Sequence, residues 1–204
     1  MRTSSNLIAR LGGLAAAMGG ALWAAKAFYD RNDAPPWPTD ATDTLFLVVP
    51  LLFLVGLVGL YARCRGRLRE WETISSVASA VAVVGLLGSA FGYLSTVLEV
   101  GPAWRPEISW WVYFFGFFLM NLGLVFLGNS ILQTGLLSRL SVLPLLTGAL
   151  GILLVPLGEA SSSLPAFFYP TLTLWVLYGL GWIALGCVLY SGEGGAVRQP
   201  ATAR

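Results

Sequence analysis

Six stretches of this chain, about 11–28, 44–62, 74–98, 110–134, 140–157 and 168–190, carry a single charged residue among them, Lys26. A helix needs an apolar run of about 20 residues to cross the roughly 30 Å hydrocarbon core of a bilayer. In lipid the backbone must satisfy its own hydrogen bonds, so such a run is a helix. These runs are too long and too evenly apolar for the alternating strands of a membrane β-barrel. The reading is all-α: a polytopic membrane protein with a bundle of six transmembrane helices in one domain over 1–192, then a flexible cytoplasmic tail over 193–204. Composition agrees, with 11% of the 204 residues charged and 56% hydrophobic, against about 25% charged in a soluble domain.

Orientation follows from the basic residues. Arg63, Arg65, Arg67 and Arg69 form a basic patch in the short segment between the second and third spans, which marks that segment as cytoplasmic. Counting outward, Arg2, Arg10, Arg139, Arg198 and Arg204 share that side, and only Lys26, Arg31 and Arg105 fall opposite. Both termini are thus expected inside, N-in and C-in, in a bacterial cytoplasmic (inner) membrane. The patch would also draw anionic lipid headgroups, an attraction that Glu70 and Glu72 weaken. A second reading of the N-terminus exists: Arg2, Arg10, the apolar run and Ala25-Lys26-Ala27 resemble a signal peptide with its cleavage site, whose removal would leave five spans.

Small residues predict how the spans pack. In the third, Ser75, Ala78, Ala82, Gly85, Ser89, Gly92 and Thr96 recur at alternating spacings of three and four, a packing seam suited to close helix approach. The first carries Gly12, Ala16, Gly20 and Ala24, one small residue every fourth position. These two spans are expected near the bundle centre, and the second, with Leu51-Leu52-Phe53-Leu54-Val55, against lipid. Trp37, Trp71, Trp104, Trp110, Trp111 and Tyr113 suit interfacial belts. Arg10-Leu11 and Arg139-Leu140 open similar spans, which hints at a pairwise repeat; an inverted three-plus-three repeat finds less support, because the aromatic fourth span is unlike the first.

Candidate chemistry is sparse. With no histidine, the usual haem ligand, most zinc sites and the commonest general base are missing, and no metal or cofactor is expected. Cys64, between Arg63 and Arg65, is a candidate for a reactive thiol, with an exposed or interfacial cysteine of no consequence the preferred reading; Cys187 lies near the same face. Polar residues inside spans are candidates by default, since burying them is costly. Asn121, Asn129 and Gln133 share a broad face of the fourth span, with Asn129 about 80° and Gln133 about 120° around from Asn121. They could line a polar groove, or bond to neighbours such as Ser89 or Thr96 at about 0.6 kcal/mol each; the structural role is preferred. Asp30, Glu99 and Glu159 form a candidate outer-rim cation site, with solvated rim charges the plainer account. No carboxylate or lysine sits at mid-span, which argues against ion-coupled pumping. Ser161-Ser162-Ser163 has no base beside it, and the Gly192–Gly195 run follows a helix instead of opening one.

The sequence points to a non-enzymatic membrane protein: a scaffold, an accessory subunit, or a lipid- or small-molecule-binding bundle. The alternative is a small transporter or channel, dimeric in one version, using the polar face of the fourth span and helices loosened by Pro50, Pro144, Pro156 and Pro170. Membrane lipids are the expected partners, with a partner membrane protein or a second copy as further candidates, and no nucleic acid.

Overall fold

The computed structural model describes residues 2–31, 48–64, 72–101, 105–134, 141–163 and 168–191. Among them are six helices and no strand: α1 (Arg2–Arg31), α2 (Val48–Cys64), α3 (Glu72–Leu98), α4 (Pro106–Thr134), α5 (Leu143–Ser163) and α6 (Phe168–Ser191). Four segments are long and apolar enough to cross a membrane: Asn6–Lys26 in α1, α3, α4, and Tyr169–Ser191 in α6. The apolar helices Val48–Cys64 and Leu143–Leu157 are shorter; at 1.5 Å per residue, 17 residues of α2 reach about 26 Å, just under the hydrocarbon thickness.

Chain neighbours pack side by side, and α6 returns to α1, closing the circuit. The broadest interface joins α3 and α4, followed by α1–α6, α1–α2 and α4–α5; α5–α6 and α2–α3 are slighter. Contacts at both ends show the pairing to be antiparallel. A Cβ built on Gly13 would fall 2.6 Å from the Gly186 carbonyl oxygen, and one on Gly20 would fall 2.5 Å from that of Gly179. Likewise Gly92 seats on Ser109 and Tyr113, Gly85 on Gly116, and Gly123 on Ala78 and Ala82. Lipid tails are as apolar as leucine, so the hydrophobic effect gives helices little reason to associate there; close van der Waals fit supplies it instead.

The two small-residue rows behave differently, for a geometric reason. Spacings of three and four average close to a whole number of turns, so the α3 row stays on one side. Ser75, Ala78, Ala82, Gly85, Ser89 and Gly92 are all buried, Thr96 partly so, and the glycines at 85 and 92 meet α4. A strict four-residue spacing advances about 40° at each step around the helix. The α1 row therefore divides: Gly12 and Ala16 meet α2 at Gly59 and Gly56, whereas Gly20 and Ala24 meet α6 at Gly179. The true faces of α1 are Gly12-Ala16-Gly19 toward α2 and Gly13-Ala17-Gly20-Ala24 toward α6.

Several expectations need correcting. The centre belongs to α1 and α4, with 44% and 50% of their spanning windows buried, and not to α3, with 33%. Helix α3 packs one face and exposes Val77, Val84, Leu87 and Phe91 on the other. Helix α2 is not simply lipid-facing: Leu51 and Val55 are exposed, but Phe53 and Leu57 are buried. Tyr113 points inward, against Tyr93 and Phe117, and leaves the rim to the exposed Trp110 and Trp111; Trp37, Trp71 and Trp104 lie outside the described residues. Three of the four prolines do not loosen a helix. Pro50, Pro144 and Pro170 lie in the first turns of α2, α5 and α6, where the N–H that proline lacks has no intrahelical partner to lose. Of the four, only Pro156 lies beyond the first turn of its helix.

Side-chain hydroxyls mostly bond within their own helix: Ser79 donates to the Ser75 carbonyl at 2.7 Å, Thr96 to Gly92 at 2.9 Å and Ser130 to Phe126 at 3.0 Å. Glycine fit, not polar bonding, holds the helices together. Gly85→Ala should accordingly cost about 1–3 kcal/mol by overpacking, because its Cβ would strike the α4 backbone at Gly116 and Met120. Gly88→Ala, whose Cβ would meet nothing closer than 3.7 Å, should be neutral or stabilising; thermal unfolding of the two variants in detergent checks the contrast.

Candidate functional site

Asn121, at mid-length in α4, is completely buried. Its Nδ2 donates to the Phe117 carbonyl of its own helix at 2.8 Å, and its Oδ1 receives no hydrogen bond. The side chain lies on Gly151 of α5, where a Cβ would collide with the whole amide. A glycine about two turns into the neighbouring helix is what lets an amide of this size point inward.

Three other buried polar atoms without a hydrogen bond lie within about a turn of it: Tyr178 OH and Trp182 Nε1 on α6, and Thr147 Oγ1 on α5. The Tyr178 hydroxyl is within hydrogen-bonding reach of Asn121 and Trp182, although the three groups do not reach full hydrogen-bond geometry with one another. Thr147 sits over Gly181, whose Cβ would fall 2.6 Å from the threonine oxygen. Leaving a buried polar group unpaired costs about 1–3 kcal/mol, so four together call for an explanation.

Aromatic rings wall the cluster. Trp182 stacks on Phe53 at 4.2 Å, Trp23 on Trp175 at 4.9 Å and on Phe117 at 5.4 Å, and Tyr178 meets the ring of Trp23 at 5.2 Å. The rings come from α1, α2, α4 and α6, so the site stands where most of the bundle converges. The described ionisable side chains on either side, Arg10, Lys26, Arg63, Glu72, Glu99, Arg105 and Glu107, belong to the helix ends. An amide, an indole, a phenol and an alcohol can offer and accept hydrogen bonds to an uncharged molecule, and can do little to make or break bonds.

The proposed groove is not assembled as one face. Asn121 is buried against α5, Asn129 is half-buried and Gln133 exposed; Gln133 Nε2 donates to Asn129 Oδ1 at 3.5 Å. Eight residues of helix set Asn129 about 12 Å along the axis from Asn121, and neither Ser89 nor Thr96 takes the expected amide bond. Of the rim carboxylates, Glu99 is exposed at the end of α3 with φ of 52°, while the side chains of Asp30 and Glu159 lie outside the described residues. Arg63 is half-buried at the end of α2; Arg65, Arg67 and Arg69, the side chains of Ser161–Ser163 and the tail lie outside the described residues too. Cys64 is buried at 1% exposure, which corrects the reading of a reactive thiol; Cys187 is exposed, and no disulfide joins them. Tyr178, Trp182 and Thr147 were missed by sequence reasoning. The available signal was depth: aromatic residues with a polar handle favour the ends of a span, and Tyr178 and Trp182 sit in the middle of one.

Comparison with protein-family models, curated proteins and solved structures finds no match to this chain.

Asn121→Leu removes a poorly paired acceptor and sacrifices a bond to a carbonyl of its own helix and a loose contact with Tyr178. It should raise the stability of the bundle by about 1 kcal/mol, seen as a higher melting temperature in detergent.

Proposed function

We propose that this chain is a six-span protein of a bacterial cytoplasmic membrane, N-in and C-in, acting as a non-enzymatic bundle that binds a small molecule among Asn121, Thr147, Tyr178 and Trp182. The observation that carries the binding reading is the convergence of four buried, unpaired hydrogen-bonding atoms from three helices. Natural cores pair such groups, or leave them for water or a ligand.

Topology has separate support. Arg10 Nε donates to the Tyr190 carbonyl at 3.4 Å and its guanidinium lies 5.6 Å from the Tyr190 ring centre, so the start of α1 and the end of α6 share one end of the bundle. The glycine fit of α1 against both α2 and α6 favours a retained first span over a cleaved signal peptide. A C-terminal fusion to a fluorescent protein should glow, and one to a periplasmic alkaline phosphatase should be inactive; the reverse pattern refutes the orientation.

Native mass spectrometry of protein released gently from its own membrane tests the binding. A small adduct present in the wild type and absent from Asn121→Leu is expected. A stoichiometric second protein with no adduct would instead make the chain an accessory subunit, the second reading of its sequence.

A further inference from the structure

The close contacts are unevenly distributed. Gly13, Gly20, Gly59 and Gly186 seat backbone on backbone within α1, α2 and α6; Gly85, Gly92, Gly116, Gly123 and Gly128 do so within α3, α4 and α5. Between these two three-helix units the described contacts are made by side chains. Thr147 rests on Gly181, the Thr171 hydroxyl donates to the Leu157 carbonyl at 3.1 Å, Tyr61 and Ser76 oxygens lie 3.5 Å apart, and Trp23 stacks on Phe117. Helices seated on each other's backbone cannot slide without collision, whereas faces joined by side chains can part and close again. Two members of the polar cluster meet the opposite unit directly: Thr147 of α5 rests on Gly181 of α6, and Tyr178 of α6 reaches Asn121 and the ring of Phe117 on α4.

We propose that the two units part along this plane and that the opening admits a small uncharged solute, one that both donates and accepts hydrogen bonds. The proposal rests on the binding reading above and adds the moving parts and the ligand class. Asn121 Oδ1 accepts a hydrogen bond from the solute, Trp182 Nε1–H donates one to it, and the two hydroxyls serve either way. A charged solute would find no counter-ion among the described side chains at the depth of Asn121, Thr147, Tyr178 and Trp182, where an uncompensated charge is strongly disfavoured.

Thiol accessibility in native membranes tests both halves. In a Cys64→Ser, Cys187→Ser background, Thr147→Cys lies on the plane and Ser89→Cys lies inside one unit, where Gly116 seats against its backbone; the two native side chains are 1% and 4% exposed. N-ethylmaleimide should label Thr147→Cys at least about tenfold faster, since opening between units costs less than opening within one. Equal rates overturn the parting of the units. Urea below denaturing concentration, by bridging the two units, should slow the labelling of Thr171→Cys, which lies on the plane but outside the four binding groups, and guanidinium, of similar shape but charged, should not. Guanidinium protection as strong as that of urea, or none from urea, overturns the solute class. Thr171→Cys, also on the plane, gives the same ranking if Thr147→Cys fails to reach the membrane. Fast labelling of a protein without a mass-spectral adduct upholds the parting and rejects the binding.

Discussion

The bundle depends on backbone meeting backbone at glycine. A soluble helix associates because water expels its apolar face; a helix already in lipid has no such incentive and must gain from fit. Gly20 against Gly179, Gly85 against Gly116 and Gly12 against Gly59 bring backbones into direct contact, where dispersion is strongest and no side-chain entropy is lost. The rest of the architecture follows from where these glycines stand. They define which helices are neighbours, the antiparallel register of each pair, and the grouping of α1 with α2 and α6 and of α3 with α4 and α5.

Polar groups are placed with the same economy. Most described hydroxyls fold back onto carbonyls of their own helix, an arrangement that needs no neighbour and commits to none. The exceptions gather between the units, where Asn121, Thr147, Tyr178 and Trp182 keep hydrogen-bonding capacity unused. A core selected for stability alone would have replaced them by apolar residues of like size. Their presence is the feature on which the binding proposal rests.

Much of this was legible in the residues, and the limits have physical causes. The helices were visible because long charge-free runs permit no other backbone in lipid, and the α3 face because its three-four spacing tracks a single side. The α1 row misled because a four-residue repeat winds around the helix, and one dimension does not reveal where one neighbour gives way to the next. Asn121 stood out as an amide in an apolar span. Tyr178, Trp182 and Thr147 did not, because depth and partner are properties of the assembled bundle. Pro50, Pro144 and Pro170 look like breaks until the helix start is known, after which they are ordinary first-turn residues.

The clasp of Arg10 on Tyr190 bears on how the protein is made. The face of α1 that carries Gly13, Ala17, Gly20 and Ala24 belongs to α6, which is synthesised after the other five described helices. Helix α2 can dock as soon as it is synthesised, and α3, α4 and α5 can assemble among themselves. Throughout that interval the other side of α1 waits in lipid with its backbone uncovered, and a chain stalled before α6 leaves that groove open to any other helix with small residues at the right spacing. Closure therefore follows the synthesis of α6 and joins segments far apart in the chain, and the clasp of Arg10 on Tyr190 ties α1 to the end of α6 once it is in place.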